Sequence, residues 1–262
     1  MQHDTPDAID STPAKVAAVT LGFWIAKVAA TTLGETGGDW VTMSLNLGYL
    51  VGTAIFAAIF VALVHAQVRA SRFRPLLYWA TIVATTTLGT TMADFFDRSI
   101  GVGYPGGSAI IALLLAASLF TWWHVEGTVA IRSITTPRAE WFYWCTILFS
   151  QTLGTALGDW TAGDDRGGLA LGYEPAALIF GGALLVIAAL YFWTRLSRTA
   201  LFWAAFVLTR PLGATLGDWL DKPHAQGGLE LSRLGASLAL VAFLALCLAV
   251  FPQRPARAGE AA

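Results

Sequence analysis

The chain has 262 residues, a formal net charge of −1, and a composition that is 56% hydrophobic and 13% charged, with 11 tryptophans. Soluble globular domains carry roughly 25% charged residues, so the composition argues against a soluble protein, and the near-neutral balance gives no basic surface for nucleic acid. The apolar residues are gathered in long runs: Leu45–Val64 and Pro175–Thr194 each give 20 residues without a charge, about the 30 Å of a bilayer's hydrocarbon core at 1.5 Å per helical residue.

The first residues, Met1–Ala14, hold Asp4, Asp7 and Asp10 and no basic residue. They lack the basic start of a cleaved signal peptide and read as a short disordered tail, residues 1–15. From there a single transmembrane domain is expected over residues 16–251, followed by a second tail, residues 252–262. Within it one pattern occurs four times: Trp24–Gly34–Asp39–Trp40, Trp79–Gly89–Asp94–Phe95, Trp144–Gly154–Asp159–Trp160 and Trp203–Gly213–Asp218–Trp219. Identical spacing in every copy signals internal repeats, at about 16–66, 75–131, 138–196 and 199–251.

Each repeat reads as two helices. The first carries the motif: Val16–Thr36, Leu76–Ala93, Glu140–Leu157 and Leu201–Leu216. The second is more uniformly apolar: Leu45–Val64, Ser108–Trp123, Pro175–Trp193 and Gly235–Phe251. A glycine-bearing connection recurs between them, as in Leu45–Tyr49, Gly101–Tyr104, Gly168–Tyr173 and Gly228–Leu231, and predicts tight turns. The expected fold is an all-α membrane protein of eight transmembrane helices, built as four parallel helical hairpins with pseudo-four-fold or two-by-two symmetry.

Lys and Arg counts orient it. Lys15, Arg69, Arg72, Arg74, Arg132, Arg138, Arg195, Arg198, Arg254 and Arg257 fall on one side; Arg98, Arg166, Lys222 and Arg233 fall on the other. This excess predicts a multi-pass protein of the inner (cytoplasmic) membrane with both termini in the cytoplasm and the aspartates facing outward.

Stepping back in fours from each motif aspartate, along one helix face, gives Lys27–Thr31–Glu35–Asp39, Ile82–Thr86–Thr90–Asp94, Ile147–Gln151–Thr155–Asp159 and Phe206–Arg210–Ala214–Asp218. Charged residues facing lipid at mid-depth are costly, so these stripes are expected to face one another or a wet cavity. Lys27 and Arg210 need acidic partners, which Glu35 and the aspartates would supply. Glu35, Asp39, Asp94, Asp159 and Asp218 form an oxygen-rich set suited to a hard divalent cation; the alternative is that the aspartates only end helices or bind loop amides.

Most tryptophans are expected in interfacial belts, with Trp24, Trp79, Trp144 and Trp203 at the cytoplasmic side. Their fixed distance from Gly34, Gly89, Gly154 and Gly213 also suggests a repeated packing notch. Cys145 and Cys247 read as small buried hydrophobes without a disulfide, and His65 and His124 as residues at helix ends. No Ser-His-Asp, Walker, Rossmann or HExxH pattern occurs, so no enzyme activity and no cofactor are expected.

The four two-helix repeats with a recurring tryptophan, most specifically Thr-Leu-Gly and the aspartate that follows it, resemble a bacterial family of integral membrane proteins known as a repeat domain of unknown function. The resemblance runs from Trp24 to Arg233 and implies the fold and a bacterial inner membrane. Repeat 4, with Arg210-Pro211, and repeat 2, with Phe95, depart from the pattern. The leading expectation is an inner-membrane transporter for a small cation, a hard divalent metal such as manganese or magnesium, with Lys27 and Arg210 as coupling charges. The lipid bilayer is its other partner, and a homo-oligomer is left open. The alternatives are a structural or partner-binding membrane protein with a static ion-pair network and, more weakly, an organic-anion carrier.

Overall fold

The computed structural model describes residues 14–163 and 167–256. Most of the N-terminal tail, Asp164, Asp165 and Arg166, and the end of the chain from Arg257 lie outside them. Eight helices are described: α1 (Leu21–Asp39), α2 (Gly48–Arg69), α3 (Pro75–Asp94), α4 (Gly103–Glu126), α5 (Pro137–Ala162), α6 (Tyr173–Trp193), α7 (Arg198–Asp221) and α8 (Arg233–Val250). Each motif aspartate lies in the last turns of its helix instead of beyond it. After α1 and α3 the chain continues as a π-helical turn, Trp40–Ser44 and Phe95–Ile100. Asp39 and Asp94 are the last residues of α1 and α3, with the chain still helical beyond them, and Asp159 and Asp218 stand three residues before the ends of α5 and α7.

Four helices are apolar outside as well as in. Along α2, α4, α6 and α8, Leu50, Ile55, Leu113, Leu178, Leu185, Leu238 and Leu246 stand exposed, a pattern that suits lipid and not water. Among the described residues, α2, α4, α6, α7 and α8 are long and apolar enough to cross a membrane. Helices α1, α3 and α5 fall short because the polar stripes dilute them, and the fold hides those stripes inside.

The motif helices close a cycle, α1 against α3, α3 against α5, α5 against α7, and α7 against α1. The glycines explain how they come so close. A Cβ on Gly34 would meet Thr86, on Gly89 the backbone of Gln151 and Thr152, on Gly154 the Arg210 side chain, and on Gly213 Thr31. In all four cases the partner lies eight residues before the aspartate of the next helix in the cycle, so the four helices run parallel and in register. One turn later Gly38 meets Thr90, Gly158 meets Ala214 and Gly217 meets Glu35. Each motif helix thus carries small-xxx-small (Gly34/Gly38, Gly89/Ala93, Gly154/Gly158, Gly213/Gly217), which lets helix backbones approach closely where lipid offers no hydrophobic drive. The notch expected for the tryptophans belongs instead to the residues eight before each aspartate.

The second helix of each repeat packs mainly on the next repeat's motif helix: α2 on α3, α4 on α5, α6 on α7 and α8 on α1. The repeats are interlocked, not independent hairpins, which corrects the expected pairing. Helix α8 closes the ring on α1, and the chain ends add to the closure. Ala14, Ala18 and Ala256 exchange backbone hydrogen bonds with Ala256, Arg254 and Val16, and Lys15 pairs with Glu140 at 2.5 Å.

The connections at the aspartate end share a conformation. Positive φ occurs at Asn46 and Gly48, Gly101 and Gly103, Ala170 and Gly172, and Glu230, so the glycine clusters are turns, as expected. At the opposite end the structure corrects the belt assignment. Trp79, Trp144 and Trp203 are buried and Trp24 is half-buried, packed with Phe23, Tyr78, Tyr143 and Phe206. Hydropathy does not distinguish a tryptophan facing lipid from one facing a neighbouring helix. Cys247 is buried, but Cys145 is exposed on α5, contrary to the sequence reading; neither forms a disulfide.

Candidate functional site

The stripes named from the sequence stack as layers down the axis of the ring. From the aspartate end they are Asp39/Asp94/Asp159/Asp218, then Glu35/Thr90/Thr155/Ala214, then Thr31/Thr86/Gln151/Arg210, then Lys27/Ile82/Ile147/Phe206, all buried. One further step of four gives Phe23/Tyr78/Tyr143/Phe202, also buried, with the Tyr78 and Tyr143 hydroxyls bonded at 2.7 Å. The axis is therefore polar at one end and closed by aromatic rings at the other. At 1.5 Å per residue, the aspartate and Lys27 layers lie about 18 Å apart.

Two basic residues hold the aspartates in pairs. Lys222 Nζ lies 2.5 Å from Asp39 and 2.9 Å from Asp218. Arg98 lies 2.7 Å from Asp94 and 3.6 Å from Asp159. Each cation stands four residues after its own aspartate and reaches the aspartate of the next helix in the cycle. The corresponding positions in repeats 1 and 3 are Met43 and Gly163. The outer ring is thus clamped two by two, α3 with α5 and α7 with α1.

The chain passes close over the Lys222 backbone, where a Cβ on Gly228 would lie 2.0 Å from the carbonyl oxygen, and the Lys222 side chain is buried. Burial works against its charge, but Asp218, Asp39 and Asp221 outweigh burial and hold its pKa well above the ordinary lysine value. The Asp94 carboxylate, helped by Asp159, likewise raises that of Arg98. Both remain cations at neutral pH. Arg233 pairs with Asp221 at 3.2 Å and stands 3.9 Å from Asp39.

One layer deeper, Arg210 pairs with Glu35 at 2.9 Å and donates to Thr90, joining α7, α1 and α3. The expectation of an acidic partner holds for Arg210 and fails for Lys27. Lys27 Nζ makes a long 3.4 Å hydrogen bond to Gln151 Oε1 and lies 4.1 Å over the Phe206 ring, and among the described residues no carboxylate is in ion-pair range. Glu35 sits two turns above it and is held by Arg210.

Of the five carboxylates expected to bind a cation, the structure brings Glu35, Asp39 and Asp218 together, with one oxygen of each within 4.8 Å of the others. Asp94 and Asp159 lie outside that set and pair with Arg98. Asp94 Oδ1, Asp159 Oδ2 and Asp218 Oδ1 are buried without an aligned hydrogen bond, so their contacts with the cations leave acceptor capacity unused. The five carboxylates face Arg98, Arg210 and Lys222, a formal balance of −2, and the Arg233–Asp221 pair leaves it unchanged. A polar cavity of about 610 Å³ opens beside them, lined by Arg98, Asp159, Tyr173, Asp218, Lys222 and Arg233 among others. Sequence reasoning missed Arg98, Lys222 and Arg233 as site residues, although the first two stand four residues after an aspartate on a helix end, a spacing that signals an ion pair.

These features define a membrane-like helical repeat protein with a polar axis enclosed by its four motif helices. The chain belongs to the family described as Repeat of Unknown Function (DUF347), matched over residues 22–73, 77–128, 142–197 and 201–251. No curated protein and no solved structure matches it significantly.

Proposed function

We propose that the protein is an inner-membrane transporter for a hard divalent cation such as manganese or magnesium, with Glu35, Asp39 and Asp218 as its protein ligands. One observation carries the reading: three buried carboxylates converge within 4.8 Å, and with Arg210 on Glu35 their formal deficit is two charges, three negative against one positive, once Lys222 is displaced, which equals one divalent ion. Oxygen ligands with water completing the shell suit magnesium and manganese.

In this reading the Lys222 ammonium, between Asp39 and Asp218, occupies the place of the cation in the resting protein. An ion entering through the polar cavity displaces it, and Arg210 keeps Glu35 aimed at the site. Asp94 and Asp159, clamped by Arg98, serve as framework and not as ligands. All eight helices span the membrane, related by a two-by-two symmetry approaching four-fold. Both termini are cytoplasmic, which puts the aspartates and the cavity outside and the Phe23/Tyr78/Tyr143/Phe202 layer on the cytoplasmic side as the closed gate.

Cells expressing Asp39→Asn, Asp218→Asn or Glu35→Gln should differ from wild type in manganese or magnesium content and tolerance, whereas unchanged content in all three would sink the proposal. The competing reading is a static scaffold, favoured by the fact that every motif aspartate has a basic partner within 3.6 Å. A scaffold would tolerate replacement of the Glu35–Arg210 pair by an apolar pair with fold and phenotype kept, because well-packed apolar residues often replace a buried ion pair without loss.

A further inference from the structure

We propose that the middle of the ring holds a second, separate site, which binds a small monovalent anion of the halide class. It lies between Lys27, Gln151 and Arg210. All three side chains are fully buried and come from α1, α5 and α7. Buried donors in proteins are almost always satisfied, and here a group of them is not. Among the described residues, Arg210 Nε and Nη1 and Gln151 Nε2 have no hydrogen-bond partner. The third guanidinium nitrogen, Nη2, is the one used by Glu35, Thr90 and the Thr86 carbonyl. Lys27 has only the 3.4 Å hydrogen bond to Gln151 Oε1 and the Phe206 ring.

The charges point the same way. Glu35 offsets Arg210, which leaves the Lys27 ammonium uncompensated by any described carboxylate, about three-quarters of the way from the aspartates to the aromatic layer. An isolated buried ammonium is strongly unfavourable, and charged groups inside a membrane protein pair with one another or with an ion. Unsatisfied N–H donors from two helices, beside an unpaired cation on a third, make an environment for an anion and not for a metal. Gly89 and Gly154 bring α5 close against its neighbours at the level of Gln151 and Arg210, so the guest must be small. The site uses no motif aspartate and shares only Arg210 with the cation proposal, through a different guanidinium nitrogen, so either can fail alone.

The test uses the full-length protein in nanodiscs, exchanged into gluconate. Radiolabelled chloride should bind at about one ion per chain and raise thermal stability at constant ionic strength, as a ligand specific to the native state does. Bromide should compete. Lys27→Met should bind chloride at least about ten-fold more weakly, because a charge-assisted contact is gone, while remaining folded and at least as stable in gluconate as wild type. Gln151→Leu, which keeps every charge, should weaken binding less. Absence of halide binding in wild type, which is the result expected if only water fills the site, overturns the proposal. So does a Lys27→Met protein that binds chloride as wild type does, or a stabilisation produced by acetate and not by chloride.

Discussion

Gly89 offers the sharpest perturbation of the ring. A Cβ there would lie 2.9 Å from Gln151 C and 2.9 Å from Thr152 N, both backbone atoms of α5 that no rotamer change can move. Relief to ordinary carbon contact, about 3.5–4.0 Å, requires α3 and α5 to separate by roughly 0.5–1 Å. Overpacking of this kind costs typically 1–3 kcal/mol, partly offset by the roughly 1 kcal/mol by which alanine exceeds glycine in a helix. Gly89→Ala should therefore lose up to about 2 kcal/mol, about 1–3 kcal/mol relative to a helix glycine whose Cβ has room. Gly181→Ala, on α6 where a Cβ meets nothing within 4 Å, should be neutral or stabilising by up to about 1 kcal/mol. Reversible unfolding of both variants in bicelles measures the difference. Equal stabilities would refute the claim that the motif glycine exists for helix contact.

Further outcomes follow from the ion pairs. Arg210→Met alone leaves Glu35 buried without its partner and should cost about 3–5 kcal/mol, whereas Arg210→Met with Glu35→Leu should recover most of it; a double-mutant cycle in thermal unfolding reads the coupling. Arg98→Met should loosen α3 from α5 at the aspartate end, seen as faster amide exchange in residues 95–100, with little change around Lys222; equal loosening at both clamps would contradict the two-by-two arrangement. Because Asp218 and Asp39 raise the pKa of Lys222, its contribution is fully present below the ordinary lysine value of about 10.4 and fades only as pH rises through the higher folded value. The Lys222-dependent part of stability, taken as wild type minus Lys222→Met, should stay constant from neutral pH to about 10.

Much of this was legible because period and spacing are local properties. The four repeats, the two helices in each and the inward stripes all follow from residues counted along one helix face, and every stripe residue is buried. The small-xxx-small pairs and the bases four residues after Asp94 and Asp218 were equally present in the sequence and went unread. What packs against what was not legible. That α2 lies on α3 and α8 on α1 depends on closing a ring between distant segments, and no local pattern records it. The tryptophans were misassigned because lipid and bundle interior are alike in polarity. Glu35 and the aspartates are the acidic residues that the stripes offer to Lys27, yet Glu35 pairs with Arg210, which reaches across from α7.

The central claim is that Glu35, Asp39 and Asp218 form a cation site occupied at rest by the Lys222 ammonium. Manganese titrated into the purified protein, followed by loss of the free-ion signal in electron paramagnetic resonance, tests it directly. The account predicts saturable binding that tightens in Lys222→Met and disappears in Asp218→Asn. No saturable binding in either wild type or Lys222→Met would contradict it.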